Sequence, residues 1–244
     1  MGGGFILVPA MVYLLGMSQH QAHGTSLAVI LFIVVLGAAF YSAHGEVNWV
    51  IAVELAIGGV FGAIIGAKIA NLLSGRQLRR YFGFFLVIIA LRMLSAVAYS
   101  LAGGPHINSH PDAIATGGLG AFVVLGIGVL TGTLSGLMGV GGGVIMVPAM
   151  VLLLGVSQKM AQGISLAVII PVAISGALIH AKHGNVRSDV CYWLVVGGVL
   201  GGLIGARAAM ALPPVFLRAI FGIMLLALGS IMAFRQRPRA PRFG

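Results

Sequence analysis

The chain of 244 residues is 59% hydrophobic and only 7% charged, with a formal net charge of +10. Soluble domains carry about a quarter charged residues, so this composition excludes a water-facing globule and points to lipid as the surrounding solvent. The basic residues lie mainly in short loops and the C-terminal tail, which fits a polytopic membrane protein and argues against nucleic acid as a partner.

Met1 is followed at once by Gly2-Gly3-Gly4 and an apolar run without a basic region, so no cleavable signal peptide is expected. A short apolar segment covers 4–16. Long apolar stretches follow at 22–43, 49–70, 81–101, 115–138, 160–181, 190–211 and 215–234, each close to the ~20 residues that cross a bilayer. A second short segment lies at 143–155. The expected fold is an all-α, polytopic transmembrane helical bundle of about seven full spans and two short or broken segments. The short segments are read as half-helices, re-entrant segments or short tilted spans.

Internal similarity organises the chain. From Gly2 to Gly83, 40 of 82 positions recur 139 residues later without a gap. The matches include Pro9/Pro148, Ser18/Ser157, Gln19/Gln158, His44/His183 and Arg79/Arg218. This divides the chain into a first repeat at 1–101, a linker at 102–114, a second repeat at 115–235 and a basic tail at 236–244. The second repeat opens with an apolar stretch, 116–138, that has no counterpart before Gly2. The first repeat therefore lacks its first helix, either because the native start lies upstream or because that helix was lost.

If the short segments cross, a full repeat has five crossings and the two halves are inverted. One face then collects Lys68, Arg76, Arg79, Arg80, Lys182, Arg187 and the four tail arginines, and the other only Lys159, Arg207 and Arg218. That asymmetry places the C-terminus in the cytoplasm. Inverted repeats are a recurring plan of secondary transporters, with substrate held at discontinuous helices in matched positions.

The matched breaks are Gly2, Gly3 and Gly4 against Gly141, Gly142 and Gly143, each followed by a proline. Glycines that interrupt a helix leave N–H groups free, and a helix starting beyond them turns its positive end to the break, which suits an anion. The plainer function of such glycines is close helix packing. A second pair, His23-Gly24-Thr25-Ser26 and Gln162-Gly163-Ile164-Ser165, opens two long spans. His23, Thr25, Ser26, Gln162 and Ser165 offer hydrogen bonds to anionic oxygens, and Ser and Thr are also ordinary N-caps. His44 and His183 end matched spans, either as pH sensors or as interfacial caps. Glu54 and Arg92 fall inside spans, where charge is costly and marks function by default. Glu54 is a candidate proton carrier and Arg92 a candidate anion attractor, and the two also suit a structural pair.

Enzymatic machinery is not expected. The acids are Glu46, Glu54, Asp112 and Asp189, too few for general acid–base work, and neither a zinc-hydrolase helix nor a Walker loop is present. The single Cys191 excludes an internal disulfide and a multi-cysteine metal site, so no cofactor is expected.

The combined pattern resembles the sulfite exporter TauE/SafE family over nearly the whole chain. It comprises G-x-G-G-G-x₄-P at 139–148 and its partner at 2–9, G-T-S-L at 24–27, G-I-S-L at 163–166, H-G-E-V, H-G-N-V and the glycine-rich runs at 58–68 and 197–207. The resemblance implies a secondary transporter in a bacterial-type cytoplasmic membrane. It implies export of sulfite, sulfonate or sulfoacetate-type anions, with protons as the coupling ion. Dimerisation would compensate for the missing helix. An anion channel and a non-transporting membrane subunit are the alternatives.

Overall fold

The computed structural model describes residues 4–70, 75–103, 118–138 and 143–234. Every element among them is helical: α1 (Gly4–Leu14), α2 (Gln19–Ala43), α3 (Trp49–Ala70), α4 (Gly75–Leu101), α5 (Gly118–Met138), α6 (Gly143–Ala149), α7 (Gln158–Lys182), α8 (Ser188–Ala211) and α9 (Pro214–Phe234). The long spans thus stand where the apolar stretches place them. Six of these helices are long and apolar enough to cross a membrane, and α5 runs for 21 residues. Gly2, Gly3, Gly141 and Gly142, residues 104–114 of the linker and the tail at 236–244 lie outside the described residues.

The repeat is visible in how the helices begin and end. Ser18 and Ser157 cap α2 and α7 by accepting N–H bonds from Gln21 and Met160, each leaving one fewer orphan donor in the first turn. Gln21 returns the bond to the Ser18 N–H, completing a capping box. Gly16 and Gly155 carry the chain into these caps with φ of +59° and +67°, a region that other residues enter only at a cost.

Equivalent helices of the two halves pack antiparallel on one another. A Cβ on Gly24 would lie 2.5 Å from the Asn185 carbonyl oxygen, and one on Gly163 would lie 2.2 Å from that of Glu46, its repeat counterpart. Leu166 fills the space at Gly37, and Leu27 that at Gly176. In the same way Gly83 meets the backbone of Ala233, while Gly222 meets Leu94. So α2 runs against α7, and α4 against α9. By contrast α3 and α5 run parallel, since Leu55 meets Gly128 and Gly59 meets Gly132.

The two short segments differ in their surroundings. Every residue of α6 is buried, and Pro148 is followed by a π-helical turn, Met150–Leu154, as expected where a proline removes a backbone donor. Val147 and Met150 pack with Leu55 of α3, Leu86 of α4, Val124 of α5, Ile164 of α7 and Leu225 of α9 in the main core. A broken helix is tolerated at membrane depth when protein encloses it. α1 is peripheral instead, with Tyr13 and Leu14 at its end 85% and 81% exposed. Phe61, Ile88, Phe122, Trp193 and Ile204 face outward, the surface that lipid would cover.

Candidate functional site

Four of the five buried polar side chains among the described residues lie in the N-terminal halves of α2 and α7, the fifth being Thr131 of α5. Thr25, Gln158 and Ser165 are fully buried and Ser26 nearly so. The Oγ atoms of Ser26 and Ser165, and both amide atoms of Gln158, have no hydrogen-bond partner. An unsatisfied buried polar atom costs about 1–3 kcal/mol, so such a cluster calls for an explanation. Gln158 and Ser165 are seven residues apart and share one face of α7. Ala161, Ile164 and Val168 on that face join the core that encloses α6. The polar atoms of this face therefore border the short helix that begins at Gly143.

The other polar candidates are already engaged. Thr25 Oγ1 accepts the Arg187 N–H at 3.1 Å, tying α2 to the loop after α7. Gln162 Oε1 accepts from the Tyr41 hydroxyl at 2.9 Å, and both line a cavity of about 330 Å³ between α2, α7, α8 and α9. Its remaining lining is apolar, with Ile33, Leu166, Phe221 and Met224. At the pseudo-equivalent place His180 stands for Tyr41 and His23 for Gln162. There the Nδ1 atom of His180 is buried without a partner and His23 is exposed.

The expected single site built from both G-x-S-L motifs is not the observed arrangement. Leu27 is level with Gly176 and Leu166 with Gly37, so Ser26 and Ser165 are separated by roughly twelve residues of helix, about 18 Å. The cause is the antiparallel packing, which sends the two helix starts to opposite ends of the pair. The structure places Gln158 and Ser165 on one face of α7 beside the short broken segment, and leaves Ser26 and Thr25 toward the other end of the helix pair.

The charged candidates are equally dispersed. Glu54 is half-buried on α3, four and eight residues before Gly58 and Gly62 and so on their face. Arg92 is exposed midway along α4. The two form no ion pair; among the described residues the one ion pair joins Arg187 to Asp189. His44 Nδ1 bonds the Phe40 carbonyl at 2.8 Å and its ring packs on Phe40, so it closes the end of α2. His183 takes the corresponding end position on α7. Glu46 accepts from Ser157 Oγ at 3.3 Å. The Arg187–Asp189 bond holds the guanidinium in its charged form, raising an already high value. Among the described residues no group of three or more His, Cys, Asp and Glu side chains fits a metal ion.

Sequence reasoning missed Gln158 and Tyr41 as site members. Gln158 was visible only as one half of a repeated Ser-Gln pair, and Tyr41 is replaced by His180 in the other repeat. Each owes its interest to burial or to a partner 121 residues away, which spacing alone does not encode.

The family model described as sulfite exporter TauE/SafE matches residues 1–93 and 113–243. A probable membrane transporter protein of Xylella fastidiosa (strain 9a5c) is 27% identical over 238 residues, 96% of this chain and 88% of the relative. The probable membrane transporter protein YunE of Bacillus subtilis (strain 168) is 30% identical over 256 residues, 96% of this chain and 90% of the relative. The probable membrane transporter protein MJ0441 of Methanocaldococcus jannaschii is 25% identical over 246 residues, with coverage of 95% and 87%. No solved structure matches. With its apolar helices and this match along most of its length, the chain is a multi-pass membrane protein and belongs to the sulfite exporter TauE/SafE family of membrane transporters.

Proposed function

We propose that the protein is a secondary transporter that exports small sulfur oxyanions, of the sulfite, sulfonate or sulfoacetate type, across the cytoplasmic membrane. The observation that carries this reading is the set of partnerless, fully buried polar atoms on Gln158 and Ser165 beside α6. Hydroxyl and amide donors in a dry site complete their hydrogen bonds on an anion's oxygens. The antiparallel α2/α7 and α4/α9 pairs support two inverted halves, and Ser26 is the counterpart station at the other depth. Matched stations toward opposite ends suit alternating access, in which each half takes the other's shape.

Glu54 is the acid assigned to proton coupling. Of the acids among the described residues, Glu46 is bonded to Ser157 and Asp189 to Arg187, which leaves Glu54 within a span and without a hydrogen bond or ion pair. The C-terminus is assigned to the cytoplasmic side by the arginine bias.

The test is uptake and efflux in proteoliposomes with sulfite, sulfoacetate, taurine, sulfate and chloride, each with and without a pH gradient. Saturable flux of one organosulfur or sulfite anion, weakened in Ser165→Ala and Gln158→Leu, is expected. Glu54→Gln is expected to keep anion binding and lose the response to the gradient. Saturable flux that ignores the gradient in the parent protein would make the carrier uncoupled, and non-saturable conduction would make it a channel. No flux of any of these anions by a well-folded sample would overturn the assignment.

A further inference from the structure

We propose that the outer face of α8, along Gly197 and Gly201 and reaching Gly205 at the rim of the cavity between α2, α7, α8 and α9, is the seat for one more apolar membrane helix with small residues at four-residue intervals, a partner of the same kind as α5. In the other repeat the equivalent seat is occupied. Gly58 and Gly62 of α3 lie against α5 so closely that a Cβ would stand 2.4 Å from the Leu125 carbonyl oxygen and 2.1 Å from that of Val129. The approach is mutual, since Gly128 and Gly132 of α5 meet the backbone of Leu55 and Gly59. Two helices with interlocking glycine rows bring their backbones together and gain van der Waals contact that larger residues would prevent.

Shifted by 139 residues, Gly58, Gly62 and Gly66 become Gly197, Gly201 and Gly205 of α8. Around each of these three, a Cβ would meet nothing within 4 Å. Most of the major helix pairs are reciprocal: α2 with α7 and α4 with α9 are self-matched pairs, α1 with α2 matches α6 with α7, and α2 with α8 matches α7 with α3. The α3–α5 seam, the most extensive among the described residues, has no counterpart in the other half. Its absence leaves α8 with 11% of its most apolar stretch buried, against 22–35% in the five other candidate spans. The same sequence pattern that holds a helix in one half thus lies open in the other, and the helix already held shows the chemistry of the one that fits. Because α3 and α5 are parallel, the occupant is parallel to α8.

The experiment uses the whole chain in lipid nanodiscs with an acceptor dye on its single cysteine, Cys191, near the start of α8. A lysine-flanked peptide copying residues 118–138 carries the donor at one end or the other. Saturable energy transfer is expected, larger from the N-terminal donor than from the C-terminal one. Affinity is expected to fall at least tenfold for Gly197→Ile/Gly201→Ile, and equally for a peptide whose counterparts of Gly128 and Gly132 are changed to Ile. The protein variant should elute and melt as the parent does, since both side chains enter open space. No saturable transfer, equal transfer from both ends, or transfer indifferent to the glycine substitutions would overturn the proposal. So would transfer between donor- and acceptor-labelled copies of the chain that is lost in Gly201→Ile, because the occupant would then be a second α8. None of these readings depends on which anion is carried.

Discussion

Replacing Ser165 by alanine removes a hydroxyl that is fully buried and bonded to nothing. A serine kept only for stability would lose stability on truncation, because its hydrogen bond would be lost. Here the unsatisfied oxygen is itself a cost, so Ser165→Ala is expected to leave the melting temperature unchanged or raised, while anion affinity falls about tenfold, worth about 1.4 kcal/mol. Melting followed in detergent beside a binding titration checks both halves of that statement. A fall in stability with unchanged affinity would return Ser165 to a purely structural role. Thr25 should behave in the opposite way. Its Oγ1 accepts the Arg187 N–H, so Thr25→Val leaves that donor without its partner and is expected to cost about 1 kcal/mol, visible as a lowered melting temperature with anion affinity little changed.

At the scale of the helix, the glycine rows give a paired prediction. Gly62→Val drives a side chain into the backbone of α5, where a Cβ would stand 2.1 Å from the Val129 oxygen. Overpacking of this kind costs about 1–3 kcal/mol, and backbone has less room to yield than a side chain, so a drop of several degrees in melting temperature is expected. Gly201→Val, the same change at the equivalent position of α8, enters open space and is expected to stay within about 0.5 kcal/mol of the parent chain. Equal effects at the two positions in the isolated chain would mean that α8 is packed there after all. These seams also explain what could be read in advance. The apolar lengths of the long helices are a local property and were legible, whereas the caps, expected among Thr25, Ser26 and Ser165, lie seven or eight residues earlier at Ser18 and Ser157. The contrast between enclosed α6 and peripheral α1 was not, because both carry the same glycine–proline pattern and differ in their neighbours, chiefly α5.

For the whole molecule, the decisive quantity is direction. The loop after α2 lies against the start of α7, and the loop after α7 lies against the start of α2. His44 and His183, one in each loop, therefore sit at opposite ends of that helix pair. In a Cys191→Ser background, His44→Cys and His183→Cys should react with a membrane-impermeant thiol reagent from opposite sides of the membrane. Labelling of both from the same side would sink the inverted arrangement, whatever the fate of the substrate assignment.

The solvent, the number and place of the long helices, the internal repeat and the family resemblance were all readable from the chain before any packing was known. Those follow from composition, from apolar stretches long enough for a bilayer, and from identities at one fixed offset. Which polar residues lie near one another depends on how the helices pack. Repeat matching placed Ser26 and Ser165 as equivalents, and antiparallel packing then put those equivalents far apart along the helix pair. It also singled out Gln158, whose significance is burial without a partner, and showed that Glu54 and Arg92 do not pair. A repeat specifies equivalence between residues, while proximity is set by the direction in which the equivalent helices meet.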